Sequence, residues 1–233
     1  MAAAERLWCV VPAAGNGQRF GAGVPKQYQL LAGKPMLVRT LERLASCIEV
    51  AGLIVVLAAD DTHWQTAVAI DGKPLRTAIG AAERSGSVLA GLHALPAEVG
   101  PEDFVLVHDA ARPCVASRDI ARLVALGVPA GGALLAAPLR DTLKRAGEDH
   151  RVAATEPRER LWRALTPQMF RRGQLTDALL AASTAGIAVT DEAMAMERAG
   201  HRPLLVEGAE DNIKVTTPAD LALAAFLLQR GEA

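Results

Sequence analysis

The feature that most constrains the fold is an alternation of short, wholly apolar runs with amphipathic segments of helical period. The first run, LWCVVP at residues 7–12, has no polar side on which a strand could meet water. A strand that is apolar on both faces is typical of a parallel sheet, because helices cover such a sheet on both sides. The alternation therefore predicts an α/β protein with a mostly parallel sheet, in one domain over residues 1–233.

The same pattern sets the expected elements. We predict strands at 7–12, 52–58, 75–79, 104–113, 131–139 and 203–208, the fourth running into a polar loop. We predict helices at 35–47, 85–95, 117–127, 175–183, 191–199 and 216–230. Serine is expected at the start of the second and third helices, Gly127 at the end of the third, and Thr217 as the N-cap of the last, before Pro218.

Residues 141–165 break the alternation, since they are polar and charged and show no helical stripe. We predict an extended arm over residues 139–165, and a hairpin is one form that it could take. A segment of this length without core residues is often an interaction element.

Composition excludes several classes of protein. The chain has 25 basic and 26 acidic residues and only 3% aromatic residues, so neither bulk attraction to nucleic acid nor a base-stacking surface is expected. Cys9, Cys47 and Cys114 form no C-x-x-C pair, which argues against a zinc knuckle or a disulfide framework. The first residues lack the basic start of a signal peptide, and the apolar runs are too short to span a bilayer. We expect a cytoplasmic protein without a membrane partner.

A glycine-rich loop follows the first predicted strand. Gly15 and Gly17 match the start of G-x-G-x-x-G, but the sixth position is Phe20. The acidic residue of a dinucleotide site would be Asp60 or Asp61, which lies too far along the chain. There is no G-K-[ST] either, so neither a dinucleotide fingerprint nor a Walker loop is present.

Two bases accompany these glycines. Arg19 and Lys26 lie seven residues apart, across a loop bent by glycines and Pro25. They can converge on one polyphosphate, while glycine leaves the backbone N–H groups open to an anion. The alternative is a solvated loop with two unrelated surface cations. We favour the phosphate site, because the loop lies at the carboxyl end of the first strand.

Further candidates follow two other apolar runs. Asp109 comes where a strand ends, and its carboxylate could hold Mg²⁺ against phosphate oxygens or could serve a turn. His108 should point the opposite way, as a half-buried histidine. Arg112 could bind phosphate or brace its loop. Lys214 precedes the last helix, and Asp211 could be a second metal contact or, as we prefer, a turn residue.

Together these segments resemble a known family. The strings that carry the resemblance, in chain order, are PAAGNGQRF, PKQ, SVLAGL, VHDAARP, RDTLKR, ALTPQ, TDEA and DNIKVT. They occur in this order in 2-C-methyl-D-erythritol 4-phosphate cytidylyltransferases, and the resemblance covers nearly the whole chain. It implies a Rossmann-like nucleotidyltransferase fold with an extended β-arm.

The resemblance also implies a reaction. CTP and methylerythritol 4-phosphate would give 4-diphosphocytidyl-methylerythritol and pyrophosphate, with Mg²⁺, by in-line attack on the α-phosphate. The arm over 139–165 would form a homodimer by reaching over a neighbouring subunit.

Residue roles carry over by position. The resemblance assigns catalysis to Arg19, Lys26 and Lys214, the metal to Asp109, CTP binding to Ala13, Ala14, Gly15, Gly17, Gly80, Ala81 and Ser87, and the polyol phosphate to Arg112, Thr142, Arg158, Thr166 and Thr190. Arg160 is a second candidate for the role of Arg158. Without the resemblance, Thr142 would be interpreted as an ordinary strand threonine and Thr190 as an ordinary helix N-cap.

The chain departs from the family at one point. The family has G-G-x-x-R where this chain has Gly80, Ala81 and then Arg84. A backbone contact to cytosine survives alanine if φ is negative there, and the pocket is altered if φ must be positive.

Three other functions stay open. A cytidylyltransferase for another polyol phosphate, such as ribitol 5-phosphate, would share the loop, the metal residue and Lys214. A nucleotide-binding protein without catalysis would bind CTP without turnover. A dehydrogenase is disfavoured by the missing third glycine.

Overall fold

The structure is a computed structural model and describes residues 7–15 and 23–231. Its strands are β1 (Leu7–Pro12), β2 (Leu30–Leu31), β3 (Lys34–Pro35), β4 (Val50–Leu57), β5 (Ala69–Ile70), β6 (Lys73–Ile79), β7 (Phe104–Val107), β8 (Gly132–Pro138), β9 (Leu143–Ala146), β10 (Val152–Glu156), β11 (Trp162–Arg171) and β12 (Leu204–Glu207). Its α-helices are α1 (Met36–Ala45), α2 (Arg84–His93), α3 (Ser117–Ala130), α4 (Arg172–Thr184), α5 (Glu192–Arg198) and α6 (Pro218–Gln229), and Lys26–Tyr28 forms a 3₁₀ turn.

The main sheet is mostly parallel, as predicted. Eight strands of the described residues form it, in the order β12-β8-β11-β7-β1-β4-β6-β5. β11 pairs antiparallel with both its neighbours and β5 antiparallel with β6, while the other pairings are parallel. The chain builds outward from β1 to β4 and β6, then returns to place β7 on the other side of β1. Ligands of such sheets bind outside the carboxyl ends of the strands at this change of direction.

Helices cover both faces of the sheet because β1 is apolar on both. Cys9 and Val11 belong to the core cluster that includes apolar residues of α1 and α3. Trp8 and Val10 belong to the opposite cluster, which includes residues of α2, α4 and α5. The alternation of side chains along a strand explains this division. The apolar residues that predicted the fold therefore form the two halves of its core.

β11 was not predicted, and it overlaps the predicted arm. Residues 162–165 lie in or beside the main sheet, where Trp162 pairs with Pro138 and Ala164 with Ala136. The register shifts between Ala164 and Gln168, around a proline that a regular central strand would exclude. Polar residues and a proline made this strand look like a loop in the sequence.

The arm itself is a hairpin, but it is shorter than the predicted 139–165. β9 and β10 pair antiparallel outside the main sheet. Arg145 and Glu156 form an ion pair across it at 2.6 Å, and most of its side chains are exposed. The hairpin thus extends from the carboxyl-end region of β8 and buries little of its own surface.

Two helix ends differ from prediction. α3 continues through Gly127 to Ala130 and is ended by Gly131, whose φ of 77° is left-handed. Gly127 serves packing instead, since a Cβ there would clash with Cε of Met169. α3 begins at Ser117 as predicted, but its N-cap is Ala116 and no side chain caps it. α2 begins at Arg84, with Glu83 as N-cap, so neither serine caps its helix.

The last helix is capped as predicted. The hydroxyl of Thr217 accepts from the Asp220 amide, and the Asp220 carboxylate accepts from the Thr217 amide, with Pro218 at the first helical position. α6 has 12 residues and a high apolar content. Within the described part of the chain, no helix combines the length and the apolar character needed to cross a membrane.

Candidate active site

A first cavity of about 280 Å³ lies at the carboxyl ends of β1 and β7, where the sheet changes direction. The 3₁₀ turn, the β6–α2 loop and the loop before α6 complete its walls. Of the residues selected from the sequence, the cavity gathers Ala13, Ala14, Gly15, Lys26, Ala81, Ser87, Asp109 and Lys214. Arg19 and Gly17 lie outside the described residues.

The β6–α2 loop forms one wall of this cavity, and it can pack there only because residue 80 is glycine. A Cβ on Gly80 would lie 2.6 Å from Cβ of Ala14 and 2.7 Å from Oγ of Ser87. The Ser87 hydroxyl accepts from the Ala81 amide at 3.1 Å, which ties the loop to the first turn of α2. Ala81 is not among the described non-glycine residues with positive φ. Alanine at this position therefore fits the backbone, which answers the question raised by the departure from G-G-x-x-R.

The turn after β1 is held by a buried side chain. Nε2 of Gln27 donates to the carbonyl of Ala13 at 2.8 Å, and Gln27 is 5% exposed. This hydrogen bond joins the 3₁₀ turn to the turn after β1. Since Lys26 precedes Gln27, its position in the cavity wall follows from the same contact.

Three cationic side chains contact the carboxylate of Asp109. Its Oδ1 accepts from Nε of Arg84 at 3.1 Å, and its Oδ2 lies 3.0 Å from Nζ of Lys214 and 3.3 Å from Nε of Arg112. Burial by itself would raise the pKa of the Asp109 carboxyl. The charges of Arg84, Lys214 and Arg112 outweigh burial and hold that pKa well below its usual range. Asp109 is therefore ionised across the physiological range.

Arg84 connects Asp109 to a second buried carboxylate. Its Nη1 and Nη2 donate to the two oxygens of Glu192 at 2.6 Å and 3.1 Å. This two-point pair joins the first residue of α2 to the first residue of α5. Planar forks of this kind fix geometry as well as charge.

A buried hydrogen-bond network lies behind Asp109. Nε2 of His108 lies 3.0 Å from the carbonyl of Arg112, which can only accept, so Nε2 carries the proton. Nδ1 then accepts from the Thr166 hydroxyl at 2.9 Å, and that hydroxyl accepts from the Asp109 amide at 3.1 Å. Burial lowers the pKa of His108 to about 4, which agrees with a neutral ring. The prediction of a half-buried histidine was wrong, because His108 is fully buried and this network satisfies both its nitrogens.

The network continues to the loop before α6. Nδ2 of Asn212 donates to the carbonyl of Thr166 at 2.7 Å, and Nη1 of Arg112 donates to the carbonyl of Asn212 at 2.7 Å. Arg112 braces its own loop through Asp109, which is one of its two predicted roles, and it also holds the loop before α6. These contacts fix the loop that carries Lys214. Phosphate binding by Arg112 stays a prediction.

A second cavity of about 220 Å³ opens on the other side of Asp109. It is lined by the described residues Arg84, Asp109, Arg112, Ala164, Leu165, Thr166, Gln168, Thr190, Asp191 and Lys214. The two cavities share Arg84, Asp109 and Lys214. Two ligands could thus meet at one ion-paired carboxylate.

Thr190 borders this second cavity but does not cap α5. The N-cap is Asp191, whose carboxylate accepts from the Met194 amide at 2.9 Å. Its other oxygen accepts from Nε2 of Gln168 at 2.9 Å. The N-cap alternative for Thr190 was therefore wrong, and its hydroxyl contacts Sδ of Met194 at 3.5 Å instead.

Comparison with known proteins identifies the family. A sequence profile described as 2-C-methyl-D-erythritol 4-phosphate cytidylyltransferase matches residues 7–230. The chain belongs to this family.

Two relatives and two solved structures show how close the likeness is. The cytidylyltransferase of Xanthomonas campestris is 60% identical over 95% of this chain and 84% of its own length. That of Stenotrophomonas maltophilia is 59% identical over 96% and 97%. A crystal structure of a 4-diphosphocytidyl-2C-methyl-D-erythritol synthase superposes with a TM-score of 0.82 at 35% identity, over 96% of this chain and 99% of that chain. The Thermus thermophilus enzyme gives 0.79 at 29% identity, with the same coverage. The predicted nucleotidyltransferase fold is confirmed.

Two residues selected by the family resemblance lie apart from both cavities. Thr142 and Arg158 are exposed at the base of the β9–β10 hairpin, and Nη1 of Arg158 donates to the carbonyl of Arg140. In the single chain, therefore, they do not complete the site. Their substrate roles stay predictions.

The donor set around Asp109 fits a magnesium ion only together with phosphate. Within the described ranges, no group of three or more His, Cys, Asp and Glu side chains could hold a metal. Both oxygens of Asp109 already face cations. Mg²⁺ is commonly held by one or two carboxylates plus substrate phosphates. A cytidylyltransferase with a single carboxylate here meets that pattern when triphosphate oxygens supply the remaining ligands.

Four further residues belong to the site although the sequence does not predict a role for them: Arg84, Glu192, Gln168 and Asn212. In the sequence, Arg84 is only the last position of the G-G-x-x-R segment, and Glu192 is only the acidic residue of TDEA. The contact between Arg84 and Glu192 could not be predicted from sequence periodicity, because the two residues lie 108 positions apart in the chain.

Proposed function

We propose that the chain transfers the cytidylyl group of CTP to 2-C-methyl-D-erythritol 4-phosphate, releasing pyrophosphate, as a step of non-mevalonate isoprenoid synthesis. The observation that carries this proposal is the pair of cavities that meet at Asp109, Arg84 and Lys214. Family membership supports these two substrates, and two adjoining cavities that share three charged residues support the binding of two ligands at one junction.

CTP would occupy the first cavity. Its cytosine would lie against the Ala13–Ala14–Gly15 turn and the segment of Gly80, Ala81 and Ser87, which supplies backbone groups close to the base. The negative-φ backbone at Ala81 supports cytosine binding despite the missing glycine. Gly17 would bring backbone N–H groups to the phosphates.

The polyol phosphate would occupy the second cavity. Arg112, Thr166 and Thr190 border it, and Lys214 lies on the boundary with the first. The hydroxyl proton of Thr166 already serves His108, so this threonine would contribute chiefly by shaping the wall. Thr142 and Arg158 would come from a partner subunit, through a homodimer formed by the arm.

The reaction would be an in-line attack of the polyol phosphate on the α-phosphate of CTP. Two anions must be held together, so much of the task is positioning. Lys214 would contact the α-phosphate, and Arg19 and Lys26 would hold the leaving pyrophosphate. Cations placed where negative charge develops stabilise the transition state more than the ground state.

Magnesium would be held by Asp109 and the phosphates of CTP, and it would offset negative charge on them. The Asp109 carboxylate stays ionised because Arg84, Lys214 and Arg112 surround it. Before CTP binds, Arg84, Arg112 and Lys214 surround Asp109, and Arg84 also pairs with Glu192. Three positive charges against two negative ones attract an anion more readily than a bare metal ion. We also propose a cytoplasmic location.

The test is pyrophosphate release by the purified chain with and without Mg²⁺. Methylerythritol 4-phosphate is run beside ribitol 5-phosphate, and CTP beside ATP, GTP and UTP. Metal-dependent release with CTP and methylerythritol 4-phosphate is expected. Release with ribitol 5-phosphate instead would assign the sister activity, and CTP binding without release would indicate a protein without catalysis.

A further inference from the structure

Glu192 is a buried carboxylate for which the proposed reaction has no role. It is fully buried as the first residue of α5. Both its oxygens are used by one guanidinium, that of Arg84, at 2.6 Å and 3.1 Å. Burying a charge is costly unless an opposite charge pairs with it. The partner of Glu192 is Arg84, whose side chain lines both cavities.

The remaining edge of the Arg84 guanidinium faces Asp109. Nε donates to Oδ1 of Asp109 at 3.1 Å. Because a guanidinium is planar, the two bonds to Glu192 fix its plane and thereby the direction of Nε. Lys214 lies on the other oxygen of Asp109, at 3.0 Å. The two oxygens of this carboxylate therefore have different partners, and Glu192 determines how one of them is held.

We propose that Glu192 is a positioning residue for cytidylyl transfer, which acts through Arg84 to set the orientation of Asp109 between the two cavities. The inference rests on the proposed function, because it concerns the same junction. Glu192 touches neither cavity itself, so its effect must pass through the guanidinium.

A purely structural role for Glu192 would be to hold α5, but other residues already do this. Oε1 of Gln168 accepts from the Ala193 amide at 2.8 Å. Asp191 caps the helix and also accepts from Gln168. The start of α5 is thus fixed by two side chains that do not involve Glu192, which leaves its carboxylate for Arg84.

The experiment compares Glu192→Gln, Glu192→Asp, Arg84→Lys and the double variant Glu192→Gln/Arg84→Lys in the pyrophosphate-release assay. Loss of a residue that orients a ligand is expected to lower kcat by about 10- to 100-fold. The KM for CTP should change by less than about threefold, since the base contacts are untouched. The double variant should have the same kcat as Arg84→Lys alone, because Glu192 acts on Asp109 only through the Arg84 guanidinium.

Ala195→Gly is the matched control. It loosens the same helix at a buried position without changing any charge, and should leave kcat near that of the wild type. The free energy of unfolding is measured for every variant. If Glu192→Gln does not fold, Glu192→Asp keeps the charge but withdraws the carboxylate by one methylene, and the same loss of kcat is expected.

The outcomes separate the inference from the proposed function. An active wild type with unimpaired Glu192→Gln, or with additive effects of the two substitutions, would overturn the inference alone. A loss of kcat in Ala195→Gly equal to that in Glu192→Gln would reduce Glu192 to a structural role. A wild-type chain that transfers no cytidylyl group would overturn both.

Discussion

The two cavities that meet at Asp109 are built by different means. The first is formed by backbone and small residues, where Gly80 and Ser87 let the β6–α2 loop pack against the turn after β1. The second is formed by polar side chains. Thr166 and Gln168 are buried, Asp191 is partly buried, and each makes a hydrogen bond to a neighbouring residue. The first should therefore be sensitive to added volume, and the second to the loss of single hydrogen bonds.

The largest effect should follow the loss of a cation from the first cavity. Lys26→Ala removes a charge proposed to stabilise the leaving pyrophosphate, so kcat should fall by about 10²- to 10³-fold. Steady-state kinetics at saturating CTP measure this. Lys34→Ala, at an exposed lysine paired with Glu42 outside both cavities, is the control and should keep its activity. A Lys26→Ala chain with wild-type kcat would contradict the assigned role.

The next largest effect should come from one hydroxyl at the second cavity. Thr166→Val leaves Nδ1 of His108 and the Asp109 amide without their partner, at a cost of about 2 kcal/mol in the free energy of unfolding. Because Thr166 lines only the second cavity and its hydrogen bonds hold that wall, the KM for the polyol phosphate should rise more than the KM for CTP. Urea unfolding and kinetics measure the two effects.

The control for this substitution is a threonine far from the site. Thr176→Val removes one hydrogen bond to the carbonyl of Arg172 in α4 and should change neither KM. Equal changes in both KM values for Thr166→Val would mean that the cavities do not differ as described.

A smaller effect should follow from one added methyl group at the first cavity. A Cβ on residue 86 would lie 2.8 Å from Cβ of Ala81, so Gly86→Ala must displace the loop or the first turn of α2. The KM for CTP should rise by about tenfold, which corresponds to about 1.4 kcal/mol.

The double variant decides whether the contact is responsible. Adding Ala81→Gly to Gly86→Ala removes the clash and should restore the KM for CTP. If the double variant binds CTP as weakly as Gly86→Ala does, the effect arises elsewhere in α2.

The smallest effect should lie outside both cavities, at the start of α6. The Asp220 carboxylate accepts hydrogen bonds from the Thr216 amide and hydroxyl and from the Thr217 amide. Asp220→Asn replaces it with a neutral amide, so the free energy of unfolding should fall by about 1 kcal/mol at pH 6. Kinetic constants should be unchanged.

The same variant predicts a pH dependence. Hydrogen bonds from Thr216 and Thr217 lower the pKa of Asp220 to about 2. A lowered carboxyl pKa stabilises the folded state above the ordinary pKa and loses this effect as the pH falls toward 2. The difference between the variant and the wild type should therefore be full at pH 6 and smaller at pH 3. A constant difference would mean that the charge of Asp220 does not act at the cap.

Much of the fold was readable in the sequence. The strands at 7–12 and 52–58 have no polar face, and the cap at Thr217 and Pro218 is a local signal. β11 was not readable, since its polar residues and proline are accommodated by contacts with other elements. Gly127 was misread as a helix end because the sequence cannot show that Met169 packs against it.

The site divides in the same way. Asp109 was predicted because it comes where an apolar strand ends. Lys214 was predicted from the family resemblance, since by itself it would be an ordinary surface lysine. The predicted half-burial of His108 was wrong, since the ring is fully buried and its Nδ1 bonds to Thr166 of β11, a strand that was not predicted. Arg19 and Gly17 lie outside the described residues, so their roles stay predictions.

The sequence by itself determined that the runs at 7–12 and 52–58 become buried strands and that the last helix begins at Pro218, because apolar period and turn chemistry act over short distances along the chain. Only the tertiary structure decided that Arg84 would pair with Glu192 and Asp109 at once. That contact requires β11 to enter the sheet in reverse beside β7 and to carry Gln168, which anchors α5 next to α2. Pairings over 108 residues depend on strand order, and strand order is set by the packing of the whole core.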